Sequence, residues 1–438
     1  MRTLILGAGV SGTAAARLAR RLGHQVTVYD ADPKTGADLI ASGVGLISGR
    51  WEPELLNGIE LVVASPGFPL RSAPITDSFE AGLRVWSELE FAWRQLTVPV
   101  VAVTGTNGKT TVTEAIAAIL AESGLSTVAA GNIGTALSGV VGEAFDVVVV
   151  EASSFQLELT ESFHPSTGVF LNLAPDHLDW HPSLAAYTAA KEKIFRWQDP
   201  SDVLIHDADD PGLQPVLERL HQRSDPPTLF PVSGRRRPPG GFGPEGDLLH
   251  LPGLDLPLAT LAGSDPIDLV NFTAAATAAH RHGATAAATA AVGTRFRPGP
   301  HRRTPVGMWR GISFVDDSKA TNPHAALAAI AAYPSVVLIA GGLSKGLDVT
   351  PLARAEGVRH LVALGEAAEA LIAASAPGKA TRVSSMEEAV EVAVAVARPG
   401  DTVLLAPGCA SFDLYQSYRA RGEAFINAVN HLIAGGAA

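Results

Sequence analysis

The chain repeats one pattern from end to end: a short apolar, β-branched run, a turn rich in glycine, then a longer stretch with helical spacing of apolar positions. The first such runs are 3–6 (TLIL), 25–29 (QVTVY) and 60–64 (ELVVA), and the stretch TAAARLARRLG ends at Gly23, as a helix C-terminus favours. Runs of this kind read as strands, and their alternation with helices predicts a parallel sheet with crossover helices. A second block opens at 98–103 (VPVVAV), with strands expected at 126–130, 145–150, 167–172 and 202–206. A third has expected strands at 312–315, 335–340, 360–364 and 402–406. Residues 222–247, dense in proline, glycine and arginine, read as a long loop or irregular hairpin, and 293–300 (GTRFRPGP) as a linker. The prediction is an α/β chain of three domains, 1–93, 94–294 and 295–438.

Composition narrows the function classes. Hydrophobic residues make up 47% of the 438 positions and charged residues 18%, enough apolar material for a core in each domain. The formal net charge of −11 argues against nonspecific binding to nucleic acid or an anionic membrane. The single cysteine, Cys409, excludes an internal disulfide and points to a reducing, cytoplasmic setting. The N-terminal apolar stretch leads straight into a glycine turn, so it reads as a first strand and not a signal peptide, and no run is long enough for a transmembrane helix. The basic residues are uneven: seven lysines (Lys34, Lys109, Lys191, Lys193, Lys319, Lys345 and Lys379) stand against 26 arginines. Where charge alone suffices this chain uses arginine, so its lysines are candidates for work that a planar, permanently charged head cannot do.

Two nucleotide signals follow strands in two different domains. Gly7, Gly9 and Gly12 spell G-x-G-x-x-G after the first strand, and Asp30 ends the second. Such a turn brings backbone close to phosphates and faces them with a helix N-terminus, while the acid can accept from a ribose or a base. An NAD or FAD site is the obvious reading, and a tight turn without ligand is the plain one. The second signal is Gly105-Thr106-Asn107-Gly108-Lys109-Thr110-Thr111, between an apolar strand and a helix. Its backbone N–H groups suit phosphates, Lys109 the β- and γ-phosphates, and the Thr110 hydroxyl Mg²⁺. Val103 stands where the longer G-x-x-x-x-G-K-[ST] pattern has its first glycine, so this is a shortened phosphate loop. A dehydrogenase has no use for a triphosphate, and a motor ATPase none for the N-terminal domain; an enzyme that uses ATP on a nucleotide-linked substrate needs both. The first and third domains are then expected to be Rossmann-like and the central one P-loop ATPase-like.

Glu151, in Glu151-Ala-Ser153-Ser154-Phe-Gln156, follows the strand FDVVVV, and Asp176-His177-Leu178-Asp179 follows TGVFLNL at the same sheet edge. One carboxylate, one imidazole and phosphate oxygens suit Mg²⁺ or Mn²⁺. Taken alone, His177 is a plain loop histidine. In the helical stretch Tyr187-Thr-Ala-Ala-Lys191-Glu-Lys193 the two lysines cannot share a face. A lone inward lysine beside a metal is ordinarily a phosphate contact.

These motifs, with Asp317-Ser-Lys319-Ala-Thr321-Asn322, occur in the order seen in Mur ligases, and the chain resembles that family over essentially its whole length. The first block alone also fits folylpolyglutamate synthetases; the DSKATN segment, His301-Arg302 and Ala410-Ser411-Phe-Asp413 are similar to the D-glutamate-adding branch. The resemblance implies an ATP-dependent ligase whose small-molecule substrates are UDP-N-acetylmuramoyl-L-alanine, D-glutamate and ATP, acting as a monomer through an acyl-phosphate. It implies metal ligation by Thr110, Glu151, His177 and a carbamylated Lys191, the alternative for Lys191 being an ordinary ammonium on phosphate. It places Asn132, Asn271, Arg302 and Asp317 around ATP with the 105–111 loop. Val10, Ser11, Asp30, Ser65, Pro66, Gly67, Ser153 and Gln156 fall to the nucleotide-sugar, and Lys319, Thr321, Lys345, Ser411 and Tyr418 to D-glutamate and the reacting phosphate. Departures from the family pattern are Val270 and Ala274 around Asn271, Asp32 after Asp30, and Tyr418 where phenylalanine is common. The alternatives are another Mur-type or folylpolyglutamate-synthetase-type ligase, a nicotinamide or flavin oxidoreductase, or a nucleotide-binding module without activity.

Overall fold

The computed structural model describes residues 1–32, 39 and 44–435, so Lys34 lies outside the described residues. Among the described residues the strands form four sheets. The N-terminal sheet holds β1 (Arg2–Leu6), β2 (Gln25–Asp30), β3 (Gly45–Ser48), β4 (Leu61–Ala64) and β5 (Arg84–Ser87), all parallel, in the order β3-β2-β1-β4-β5. The central sheet holds β6 (Val100–Thr104), β7 (Thr127–Gly131), β8 (Val147–Glu151), β9 (Thr167–Phe170), β10 (Val203–Asp207) and β11 (Thr228–Val232), also parallel, in the order β11-β10-β9-β6-β8-β7. Next comes a small antiparallel sheet of β12 (Gly243–Glu245), β13 (Leu248–Leu251) and β14 (Leu254–Pro257). The C-terminal sheet holds β15 (Thr304–Trp309), β16 (Ile312–Asp316), β17 (Val336–Gly341), β18 (Val358–Leu364), β19 (Ala380–Arg382) and β20 (Thr402–Leu405) in the order β15-β16-β20-β17-β18-β19, parallel except for β15.

The chain forms two compact units, Met1–Leu173 with Ala185–Phe296, and Ala174–Leu184 with Arg297–Ala438. In the first, the N-terminal and central sheets share one core, in which Ile5, Leu18 and Leu89 cluster with Val148, Leu157 and Phe163. That contact also buries Glu88, whose Oε1 accepts the Ser138 N–H at 2.6 Å; burial raises its pKa and the Ser138 bonds oppose the rise. In the second unit the C-terminal sheet is covered on both faces, as parallel strands buried on both sides require. Among the described residues no helix is long and apolar enough to cross a membrane.

Each strand expected from the sequence is present, within a few residues of its expected ends. The expectation lacked β3, β5, β11, β15 and β19, each at the edge of its sheet, and the whole of the small sheet β12-β13-β14. Edge strands need less apolar surface and tolerate proline, and Pro231 and Pro305 lie inside β11 and β15. The 222–247 segment is thus a correction: in place of a long loop or irregular hairpin it contains β11, paired with β10, and β12, paired with β13. The expected linker at 293–300 begins as the last turn of the helix Ala286–Arg295.

Gly12 shows how closely the first helix, Val10–Arg21, seats on its strand: a Cβ there would lie 1.8 Å from the Gly7 carbonyl oxygen. At Gly9 a Cβ would meet nothing within 4 Å. Gly12→Ala is therefore expected to destabilise the protein by about 2–3 kcal/mol or more, and Gly9→Ala by less than about 1 kcal/mol, in chemical denaturation.

β10 ends at Asp207, whose carboxyl burial pushes up to about 7; Asp209 and Asp210 push the same way, and the Asp209 N–H and Arg235 partly oppose. An unfolded aspartate titrates near pH 4. Between those values the folded chain keeps a proton that the unfolded chain has lost, so this group's contribution to stability falls as pH rises from about 4 to 7. Asp207→Asn keeps the acceptor that the Asp209 N–H uses at 2.9 Å and removes the charge. It is expected to stabilise the protein by about 1–2 kcal/mol at pH 8 and hardly at all at pH 5, read from thermal midpoints at the two pH values.

Candidate active site

The N-terminal sheet reverses its strand order between β1 and β4, which opens a crevice at their carboxyl ends. Of the residues expected to meet a nucleotide-sugar, Val10, Ser11, Asp30, Ser65, Pro66 and Gly67 lie at that edge, while Ser153 and Gln156 follow β8 of the central sheet. The turn after β1 carries Gly7 at φ +102°, then Val10, exposed, and Ser11, half-buried. Ser65, Pro66 and Gly67 follow β4, and the Ser65 N–H bonds the Leu6 carbonyl at 2.9 Å. The Ser65 hydroxyl is buried without a partner. Asp30 ends β2 and is already engaged: its Oδ2 accepts the Ala8 N–H at 2.7 Å and its Oδ1 the Asp32 N–H at 2.9 Å. It therefore shapes the glycine turn directly.

In the central sheet the phosphate loop runs from β6 into the helix Lys109–Glu122, through Gly105 at φ +151° and Gly108 at φ +83°. Asn172, after β9, splints it: its backbone carbonyl accepts from Thr106 N at 3.0 Å, its Oδ1 from Asn107 N at 2.8 Å, and its Nδ2 donates to the Asn107 carbonyl at 3.2 Å. The Lys109 ammonium donates to the carbonyls of Gly105 and Thr106 at 3.0 and 2.9 Å. Lys191, 1% exposed, donates to the same Gly105 carbonyl at 2.7 Å, and its ammonium lies 4.7 Å from the Tyr187 ring centre. The Tyr187 hydroxyl meets Thr106 Oγ1 at 3.2 Å. Asn271, 8% exposed on the helix Pro266–Arg281, approaches the loop so closely that a Cβ on Gly108 would lie 2.8 Å from its Oδ1. Lys193 instead bonds Glu158, away from the loop.

Glu151 closes β8, in register with Val103 of β6, and is 2% exposed. Its Oε1 accepts from Asn132 Nδ2 at 2.9 Å, and its Oε2 is buried with no partner. Ser153 and Gln156 form a capping box on the helix Ser154–Glu158, which occupies the serine hydroxyl and the Gln156 Oε1. The Gln156 Nε2 is buried and unpartnered. Among the described residues no three histidine, cysteine or acidic side chains converge as a metal-binding group.

His177 belongs to the second unit. There Asp176, 4% exposed, accepts from the His177 N–H and from Lys345 Nζ with Oδ1, at 2.8 and 2.7 Å, and from Asn322 Nδ2 with Oδ2 at 2.8 Å. Leu343 and Ala410 exchange two backbone bonds, of 3.0 and 2.9 Å, which brings the segments of Lys345 and Ser411 together. Around β16, His301 Nδ1 meets the buried Asp316 Oδ2 at 2.6 Å, and the His301 carbonyl accepts from Lys319 N at 3.1 Å. Burial pushes the Asp317 carboxyl up to about 7; Arg303 and Arg302 pull it down and Asp316 pushes it further up. The Lys319 ammonium sits 4.1 Å from the Tyr418 ring centre. Burial disfavours ionisation of that phenol, but Arg419, Lys319 and Arg302 outweigh it and its pKa lies below the ordinary value. Thr321 is half-buried between Lys319 and Asn322.

Sequence reading missed the residues that hold these groups in place. Arg421, 1% exposed, donates to Ser318 Oγ, the Ser318 carbonyl and the Cys409 carbonyl at 3.0, 2.8 and 3.1 Å. One arginine among 26 carries no signal of such a role. Asp316 beside Asp317, and Asn172 in TGVFLNL, were visible only as neighbours of the motifs.

Three family models match the chain: the Mur ligase MurD-like N-terminal domain over residues 1–87, the Mur ligase middle domain over 103–230, and the Mur ligase glutamate ligase domain over 301–409. The chain is 42% identical to the UDP-N-acetylmuramoylalanine–D-glutamate ligase of Frankia casuarinae across 97% of this chain and 93% of that protein. To the enzyme of the same name from Shouchella clausii it is 38% identical, across 99% and 97%. Among solved structures, MurF from Acinetobacter baumannii matches with a TM-score of 0.63 at 16% identity, covering 97% of this chain and 93% of that one. MurF ligase from Thermotoga maritima, solved in complex with ADP, matches with a TM-score of 0.59 at 17% identity, covering 94% and 95%; at such identities both likenesses speak to the fold alone. With full-length identity to the D-glutamate ligases on top of that fold and that order of motifs, the chain belongs to the Mur ligase family, in its UDP-N-acetylmuramoylalanine–D-glutamate ligase group.

Proposed function

We propose that this chain joins D-glutamate to UDP-N-acetylmuramoyl-L-alanine with ATP, by way of an acyl-phosphate. The observation that carries this reading is the cluster at the carboxyl edge of the central sheet. There the Lys109 loop, Glu151 with its unpartnered buried oxygen, and the buried Lys191 head are gathered on adjacent strand ends and one helix. The alanyl carboxylate attacks the γ-phosphorus, the β–γ bridging P–O bond breaks, and ADP leaves. The D-glutamate amine attacks the acyl carbon and loses a proton, and the tetrahedral centre collapses by breaking the C–O bond to phosphate. Lys109 balances charge on the transferring phosphoryl group.

The remaining assignments rest on the same reading. Thr110, Glu151, His177 and a carbamylated Lys191 would hold Mg²⁺, or Mn²⁺ in its place, which supplies charge neutralisation for the phosphate oxygens. The orphaned Glu151 oxygen supports this, because it lies at a strand end beside the phosphate loop, where a cation on the phosphates would satisfy it. ATP falls to the 105–111 loop with Asn132, Asn271, Arg302 and Asp317. The nucleotide-sugar falls to Val10, Ser11, Asp30, Ser65, Pro66, Gly67, Ser153 and Gln156, and the spare Ser65 hydroxyl and Gln156 amide support that. D-glutamate falls to Lys319, Thr321, Lys345, Ser411 and Tyr418. The functional domains are 1–93 for the UDP-substrate, 94–294 for ATP and 295–438 for the amino acid, in a monomer of the cytoplasm.

The decisive assay is ADP release by the purified chain with UDP-N-acetylmuramoyl-L-alanine and a panel of amino acids. Release with D-glutamate alone supports the proposal; release only with another amino acid or with a folate overturns it.

Carbamylation turns the Lys191 amine into an anion, whereas an ordinary ammonium on phosphate stays cationic, so the two readings differ in the sign of charge. Lys191→Ala is expected to lower kcat by at least about a hundredfold, and acetate to restore part of the loss by standing in for the missing anion. Full activity in Lys191→Arg would establish the cationic reading and end the carbamate one.

A further inference from the structure

His177 is the metal-ligand candidate of the Asp176-His177 pair, and the structure gives its neighbouring carboxylate separate work. Asp176 is 4% exposed and takes three donors: Lys345 Nζ and the His177 N–H on Oδ1, and Asn322 Nδ2 on Oδ2. Asn322 is itself anchored, since its Oδ1 accepts the Ala325 N–H at 2.9 Å as the N-cap of the helix Pro323–Ile330. Two of the residues that Asp176 holds have left-handed backbones without being glycine, His177 and Lys345, both at φ +54°. Such conformations persist only where surrounding bonds over-determine them. A single buried carboxylate thus fixes the Lys345 head, ties it to a capped helix, and pins the turn that presents the His177 ring.

We infer that Asp176 is a positioning residue for the incoming amino acid, holding the Lys345 ammonium so that its remaining N–H donors face an anionic carboxylate of that substrate. This rests on the proposed reading that Lys345 belongs to the D-glutamate site. An ammonium on a flexible four-carbon stem, 12% exposed here, loses rotamer freedom when it binds an anion; a carboxylate partner already in place removes much of that loss. The lysine then bridges two carboxylates, one fixed and one arriving. Such a contact is made in the ground state and the transition state alike, so its loss raises KM more than it lowers kcat.

The test separates charge from hydrogen bonding. In Asp176→Asn the new amide N–H₂ faces the Asn322 amide, donor against donor, and the fold is strained. The double variant Asp176→Asn with Asn322→Asp exchanges the two groups: the amide at 176 donates to the carboxylate at 322, which still caps Ala325, while Lys345 loses its charged partner. We expect the double variant to recover the wild-type thermal midpoint and still show an amino-acid KM raised by at least about tenfold, with kcat changed by less than about threefold. A wild-type KM in the double variant, or in Asp176→Asn alone, overturns the inference, as does a fall confined to kcat. The assay uses whichever amino acid the wild-type chain accepts. Failure of D-glutamate itself therefore counts against the proposed function, and the ratio between variant and wild type decides the role of Asp176.

Discussion

The candidate site depends first on the register of β9, β6 and β8. Parallel pairing sets Val101 beside Thr167, and Val103 beside both Val169 and Glu151, so the three strands end level with one another. Level ends deliver three groups to one line: Asn172 after β9, the phosphate loop after β6, and Glu151 at the end of β8. Slipping one strand by a single residue would turn Glu151 to the opposite face of the sheet. The valines of β8 are alike on both faces, so the slip is opposed by the carboxylates that flank them: it would draw Asp146 or Glu151 into the apolar sheet.

Some buried polar atoms without a partner fall in the motifs, and others, among them Glu88 Oε2 and Glu90 Oε2, lie outside them. Ser65 Oγ, Glu151 Oε2 and Gln156 Nε2 are buried atoms with no partner, each in or beside a segment singled out by sequence. A buried carboxylate oxygen without a donor is costly, and the one on Glu151 differs from those on Glu88 and Glu90 in standing at a strand end beside the phosphate loop. The second unit shows the opposite arrangement. Its buried acids are filled: Asp176 by Lys345, Asn322 and a backbone N–H, and Asp316 by His301 and the Ser318 N–H.

Much of this was legible in the chain, because its two strongest signals are local. A phosphate loop needs glycine where φ is positive, and Gly105 and Gly108 are where the pattern puts them. The central strands were visible because both faces are buried and so their apolar runs are unbroken. Edge strands such as β15, with Pro305 in mid-strand, were invisible for the same physical reason in reverse. The partners were the least legible. Nothing in the order of residues announces that Asp30 would cap the Ala8 N–H before it could meet a ribose, or that Asp176 would face Lys345, 169 positions away. Those pairings come from tertiary structure, where spacing along the chain carries no information.

The use of lysine against arginine ties these threads together. Arg421 is buried among fixed carbonyl and hydroxyl oxygens and meets three of them with one rigid fork. A planar head with directed donors is suited to stitching loops that never part. Lys109 and Lys191 converge on a single carbonyl, that of Gly105, from two different helices. Lys319 over the Tyr418 ring and Lys345 on Asp176 are likewise point charges on long stems. A compact head can share one partner with a second group, and only an amine can exchange its charge for an anion's. Four of the seven lysines, Lys109, Lys191, Lys319 and Lys345, thus fall among the candidate residues, while Lys193 bonds Glu158 away from the phosphate loop.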